Sequence, residues 1–461
     1  PEFYPTLTFR DELLNGANTT WMNDCEVNYS KGVGIRMGNA RIRNTYINDC
    51  MHGIQLTSSN CGLSNSSISN NEGYPILFDG LKMTLDQMDA ETSKYFIEEF
   101  SENSFYNNGL NYFAVGGNLE VIQATPVPFA LLWKKLPIPY LVTAPLKISG
   151  LNIYLEKGSL IKFKYFDEYS RKPYISLDSE CSLSTLGSLS EEKTVFTSEF
   201  DHRYDYEAFE GKHRDPMVGD WGYIEAHDFD LEDCVFKYGG LYADSATGDP
   251  IPDVSGVVRI RAGLSGSSHF TGCLFNSLYR HGIVTIFEPS VDHPISIDSS
   301  SFLLSKENYG LTTVEPEGVN AWSIDARYNY WNGRLGPFNP NSDTIGNGCR
   351  VGDNIDYKPF LTESEDELDL VSSVLSGMVR NLDGDIIPGA LLRLKGKNEK
   401  SVYSKNDGSY YISNVHPGYG YKLHTFARVH VDTLVEDISI GMDTTHVLDV
   451  YMRERTIDYL V

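Results

Sequence analysis

The sequence predicts an all-β chain: a right-handed parallel β-helix with a helical insert, followed by a small antiparallel β-sandwich. Three observations carry this. From Tyr140 to Phe163, Leu146 and Ile148 flank Lys147, Ile153 and Leu155 flank Tyr154, and Ile161 and Phe163 flank Lys162. Apolar-polar alternation in runs of about four or five residues marks strands, because helices are longer. Ser149-Gly150 and Glu156-Lys157-Gly158-Ser159 separate the runs with turn chemistry. Three strands and two tight turns within about 25 residues make one coil of a solenoid. Finally, Val27, Ile47 and Ile68 recur 20 and 21 residues apart, and Gly34-Ile35, Gly53-Ile54 and Gly282-Ile283 repeat a second signature. Such a period stacks the inward side chains of each coil on those of the next. Parallel crossovers prefer the right hand. The rival for residues 19–361 is a sandwich or barrel, but hairpin signals such as Asn-Gly between matched strands are scarce there.

Taken in order, residues 1–116 are N-terminal coils: an edge coil or cap over 1–18, then about three coils over 19–78. The spacing of Leu81, Leu85, Met88, Phe96 and Phe100 predicts a helical lid near 81–100 that buries Leu85, Met88 and Phe96. Asn107 and Asn108 suit tight bends, where asparagines stack from coil to coil. Pro126, Pro128, Pro137 and Pro139 around Trp133 predict an irregular crossing over 117–139, at the start of the main helix, 117–361. Long excursions at Asp201 to Asp220, Tyr242 to Ser255 and Asn329 to Asp353 interrupt it, and such loops tend to be functional or to cover strand edges. Residues 362–372 read as an acidic linker. Turns at Asp383-Gly384, Asn406-Asp407-Gly408 and Pro417-Gly418 punctuate short alternating runs over 373–461, as in an antiparallel sandwich.

The formal net charge of the 461 residues is −25, which excludes nucleic acid and disfavours anionic lipid or polyanionic sugar. No run of 18 apolar residues is present, so membrane insertion is not expected. No signal peptide is visible after Pro1-Glu2-Phe3, and the chain is expected to be a mature product or a piece of a longer one. Seven cysteines without a CxxC exclude zinc-finger and haem spacings, and Cys234 and Cys273 hold matching places in successive coils, as stacked buried thiols.

Two stretches resemble known families. Ala326 to Pro337, Gly346-Asn347-Gly348 and Val351 to Leu361 resemble the closing segment of secreted, pectate-lyase-like parallel β-helix repeat proteins, with Asn332 where glycine is usual. Val195 to Ser198 and Gly219 to Ile224 match the same family. The resemblance implies the fold and an extracellular or cell-surface setting, without implying one activity. Residues 373–452 resemble the carboxypeptidase regulatory-like, prealbumin-type sandwich at Gly377, Val379, Asp383-Gly384, Ile387 to Ala390, Asp407-Gly408, Tyr410 and Pro417 to Tyr419. That resemblance implies a non-catalytic spacer or attachment unit.

The expected function is therefore a non-catalytic structural or adhesive protein, in a surface array or filament or binding carbohydrate. Its partners are other protein chains, through self-assembly or a larger surface protein, and polysaccharide. The alternative is a polysaccharide lyase or glycoside hydrolase acting in a groove. Hydrolysis needs paired carboxylates, and the polygalacturonase motifs survive only as fragments at His281-Gly282 and Arg259-Ile260-Arg261. Lysis needs a basic residue beside a cation. Asp201, His202, Arg203, Asp205, His213 and Arg214 are the candidates for catalysis, and Asp201, Asp205, Asp215 and Asp220 for calcium, the one cofactor considered. Solvated charges closing onto Trp221 are the bland reading of that loop. Tyr204, Tyr206, Tyr419 and Tyr421 either pack their own loops or stack on sugars.

Overall fold

A computed structural model describes residues 7–9, 20–37, 40–56, 61–79, 82–84, 94–95, 97–122, 129–168, 171–178, 181–186, 192–201, 215–243, 251, 254–261, 266–286, 293–314, 324–342, 344–364, 374–395, 400–412, 415, 418–440 and 445–454. Their regular structure is strand almost throughout, in large parallel sheets compatible with a solenoid. All described strand pairings within residues 140–361 are parallel.

The repeating unit is three strands. Leu151–Glu156, Leu160–Phe163 and Ile175–Leu177 are followed by Ser182–Leu186, Thr194–Ser198 and Ile224–Ala226, each paired with its counterpart one unit earlier. The strand Tyr140–Ser149 is ten residues long and serves two columns, pairing through Tyr140 with Ile161 and through Leu146 with Ile175. The N-terminal coils follow the same rule. Val27 pairs with Ile47, Ile47 with Ile68, and Ile68 with Phe105, all buried.

Stacking is carried by side chains of one kind in one column. Phe196, Phe236, Phe275, Phe302 and Trp331 stack face to face with centroids 4.9, 5.0, 4.7 and 4.6 Å apart. Corners are made by residues in the left-handed region: Asp24, Asn44 and Asn65 in one column, Asp49, Asn70 and Asn107 in another. Asn and Asp tolerate that conformation, and their amides bridge coils, Asn44 Nδ2 donating to Asn23 Oδ1 at 2.9 Å and Asn107 Nδ2 to Asn70 Oδ1 at 3.2 Å. Asn332 has φ +56° and its Nδ2 donates to Leu304 O at 2.9 Å, another asparagine in the left-handed region whose amide bonds a distant backbone carbonyl.

Three expectations change. The helical insert is not seen: Lys82–Thr84, Lys94–Tyr95 and Ile97–Ser101 are strands paired parallel to neighbouring coils, while Leu85, Met88 and Phe96 lie outside the described residues. Apolar spacing read locally lost to open strand edges, whose backbone groups these segments satisfy. The proline-rich crossing contains the strands Phe113–Ile122 and Phe129–Trp133. After residue 373, two four-stranded sheets contain antiparallel pairs, but Val374–Asn381 also takes Thr445–Val447 and Val450–Met452 in parallel. The acidic linker lies largely outside the described residues.

The C-terminal unit packs on the N-terminal coils. Tyr403 Oη donates to Asn103 O at 2.9 Å and its ring meets Phe105 edge-on at 6.2 Å. Arg428 lies over Tyr46, and Leu391 and Tyr403 are continuous with the main core. The seven cysteines are free thiols, six of them buried; burial pushes Cys234 well up and Cys349 to about 12, so these sulfurs pack as hydrophobes.

Burial also lowers His52 and His430 below the ordinary 6.5. The unfolded chain then takes up protons near pH 6.5 that the native chain refuses, so this stability is present above pH 6.5 and is lost as the pH falls through the folded values. Denaturation midpoints are expected to fall between pH 7.5 and 5.5, and to fall less in a His52→Gln, His430→Gln variant. Equal falls in both proteins would show that these histidines do not carry the effect.

Candidate functional site

The residues predicted for catalysis and calcium do not form a described cluster. His202, Arg203, Asp205, His213 and Arg214, with Tyr204 and Tyr206, lie outside the described residues. Asp215 is exposed. Asp201 and Asp220 are buried against one strand: Thr197 Oγ1 donates to Asp201 at 2.7 Å and Ser198 Oγ to Asp220 at 2.6 Å. Met217 N–H also donates to Asp220 at 3.0 Å. Trp221 is buried beneath, stacked on Phe163 at 4.0 Å, and its Nε1 donates to Lys237 O. Tyr421 is a core residue of the C-terminal unit.

A different constellation stands one turn further along each coil. In the parallel strands Ile175–Leu177, Ile224–Ala226 and Gly256–Arg261, Ser176 pairs with Glu225 and Glu225 with Arg259. Period-two alternation sends these three outward while Ile175, Ile224, Val258 and Ile260 face the core. Arg259 Nε lies 3.1 Å from Glu225 Oε2, and Arg261 Nη2 lies 2.9 Å from Oε1. The first contact is a charge pair without an aligned hydrogen bond, so Glu225 Oε2 and Arg259 Nε are both buried with unmet hydrogen-bonding capacity.

Three tyrosines enter this site from connections between strands: Tyr174 just before Ile175–Leu177, Tyr223 just before Ile224–Ala226, and Tyr242 between Cys234–Lys237 and Gly256–Arg261. Tyr174 and Tyr223 stack with centroids 4.7 Å apart and planes 8° apart; Tyr242 tilts against Tyr223 at 5.3 Å. The Arg259 guanidinium carbon lies 3.7 Å from the Tyr242 centroid and 4.9 Å from that of Tyr223. Burial, and next the Glu225 charge, raises the Tyr174 and Tyr223 phenols above their ordinary value, so both remain neutral hydroxyls at physiological pH. The arrangement offers ring faces, hydroxyls and one half-exposed guanidinium, Arg261, to a polar ligand.

A second group borders the neighbouring column. Glu199 Oε1 accepts the Tyr165 amide at 2.6 Å, and Lys164 Nζ lies 3.4 Å from Tyr74 Oη. Desolvation raises the Glu199 carboxyl above its ordinary value, opposed by the Tyr165 amide, Lys164 and Lys162. Among the described residues, the one set of three or more metal-ligating side chains is His227, Asp228 and His293, at the next corner.

Arg259-Ile260-Arg261 was visible as a fragment, and its alternation already places both arginines on one face. The partner, Glu225, lies 34 residues earlier, so the pairing needed the strand register. Among the described residues no helix is long and apolar enough to cross a membrane. No protein-family model matches the chain, and no curated protein matches it.

Proposed function

We propose that the chain is a secreted or cell-surface, right-handed parallel β-helix of the pectate-lyase-like kind with a C-terminal carboxypeptidase regulatory-like sandwich, and that it is a non-catalytic structural or adhesive protein binding a neutral polysaccharide. The observation that carries the reading is the tyrosine shelf of Tyr174, Tyr223 and Tyr242 over the Glu225–Arg259–Arg261 charge group. Aromatic side chains pack on the apolar faces of sugar rings, and the half-exposed Arg261 guanidinium supplies hydroxyl-directed hydrogen bonds. The three groups sit on successive coils, so the site tracks along the solenoid as a chain of sugars would. A net charge of −25 favours an uncharged glycan over a uronate polymer.

Titration calorimetry against neutral polysaccharides is the test. Tyr242→Ala and Tyr223→Ala are each expected to weaken binding about tenfold, ~1.4 kcal/mol. Failure of the native chain to bind any neutral glycan would sink the reading. One observation favours the alternative of a lyase or hydrolase: Glu199, a buried carboxyl that desolvation raises above its ordinary value, near Lys164 and Tyr74. Release of unsaturated or reducing ends, abolished by Glu199→Gln, would establish that alternative.

A further inference from the structure

His227, Asp228 and His293 occupy the corner between the column of Ile224–Ala226 and that of Asp228–Glu232. Their ligand atoms all lie within 4.8 Å of one another: His227 Nδ1 is 2.9 Å and His293 Nε2 is 3.7 Å from Asp228 Oδ1. The rings meet edge to face with centroids 5.2 Å apart. Strand register sets the geometry. Phe229 pairs with Ser268 and Ser268 with Ile295, so His227-Asp228 and His293 belong to coils separated by one intervening coil.

The intervening coil leaves room for that approach. It presents Gly266, at φ +136°, where a Cβ would collide with the Asp228 carboxylate. Ser267 N–H donates to Asp228 Oδ1 at 3.0 Å, holding the carboxylate toward the two rings. His293 has a fully buried side chain, and its Nε2 lies 3.1 Å from Ser268 Oγ. The 3.7 Å approach of Nε2 to Asp228 Oδ1 is too long for a hydrogen bond, so hydrogen bonding does not account for the closeness of the ring to the carboxylate.

We infer that His227, Asp228 and His293 form a divalent transition-metal site, zinc being the ion that suits it, which clips two coils together across Gly266. Two imidazoles and one carboxylate are a borderline-soft donor set, which selects zinc over calcium or magnesium. Tetrahedral bonds of about 2.0–2.1 Å separate ligand atoms by roughly 3.4 Å. The 2.9 and 3.7 Å separations bracket that value and the three ligand atoms all lie within 4.8 Å of one another, so closing on an ion draws the side chains together about Asp228. Three protein ligands leave a fourth position open on the side of Asp228, whose side chain is 30% exposed. This site is independent of the tyrosine shelf and stands or falls without it.

The test uses the full chain stripped with chelator, then titrated with zinc chloride and, separately, with cobalt chloride. One equivalent of zinc is expected to bind with sub-micromolar affinity, and cobalt to give the intense visible bands of a tetrahedral site. His227→Gln and His293→Gln are each expected to weaken zinc binding at least tenfold and to remove the cobalt bands. His227→Gln is the safer variant if His293→Gln does not fold. Gly266→Ala is expected to impair zinc binding while leaving all three ligands in place. Stoichiometric zinc binding unchanged in His227→Gln, or no zinc binding by the native chain, overturns the assignment.

Discussion

Phe275→Ala is expected to destabilise the chain by about 3–5 kcal/mol, the range for deleting a fully buried phenylalanine. Phe275 sits in the middle of the aromatic column, stacked on Phe236 at 5.0 Å and on Phe302 at 4.7 Å. Removing it takes away both faces at once, and the coils above and below cannot close the gap. They are held at the strand spacing by backbone pairs on either side, Val235 with Leu274 and Leu274 with Ser301. The loss is therefore transfer energy plus a cavity that does not collapse. Urea denaturation of the variant beside Tyr451→Ala, at a half-exposed position, measures it. A difference below about 1 kcal/mol would mean that the column relaxes as a unit.

Arg259→Ala is expected to cost a similar amount, about 3–5 kcal/mol, because it strands Glu225 in a site where both side chains are about 95% buried. Arg261 remains, but it is half in solvent and reaches only the other carboxylate oxygen. The guanidinium also leaves the rings of Tyr223 and Tyr242, so polysaccharide binding is expected to be lost with it. The double variant Arg259→Met, Glu225→Gln separates the two effects. It removes the charges together and is expected to recover most of the stability while binding remains lost. A double variant as unstable as Arg259→Ala would place the cost in packing rather than in the uncompensated carboxylate.

Much of the architecture was legible because it repeats. Val27, Ile47 and Ile68 were spaced as partners and are partners. The asparagines expected at bends do stack, since a left-handed corner in each coil places one amide above the next. The insert near 81–100 was misread for a reason of the same kind. Its apolar spacing suits a helix in isolation, but its neighbours offer unpaired strand edges, and Ile97–Ser101 takes the edge of Cys61–Ser64. Most of the charged loop expected to hold the site, including His202, Arg203, Asp205, His213 and Arg214, lies outside the described residues. The loop richest in charge commits Asp201 and Asp220 to hydrogen bonds with their own strand. The groups that do converge are sparse in the sequence and come from several strands, one or two residues from each.

By itself the sequence determined the all-β class and the period of about 20 residues that brings Val27, Ile47 and Ile68 into register, because inward β-branched residues recur there at a fixed spacing. Only the tertiary structure decided which outward residues meet. Glu225 and Arg259 are adjacent through one strand pairing, Tyr174, Tyr223 and Tyr242 through connections between strands, and His227, Asp228 and His293 across an intervening glycine. The same holds for the seating of Tyr403 on Asn103 and Phe105, 300 residues apart in the case of the hydrogen bond. Outward positions are free of the stacking constraint, so their chemistry leaves no period to read. Their neighbours are set by loop lengths that bring one coil back onto the next.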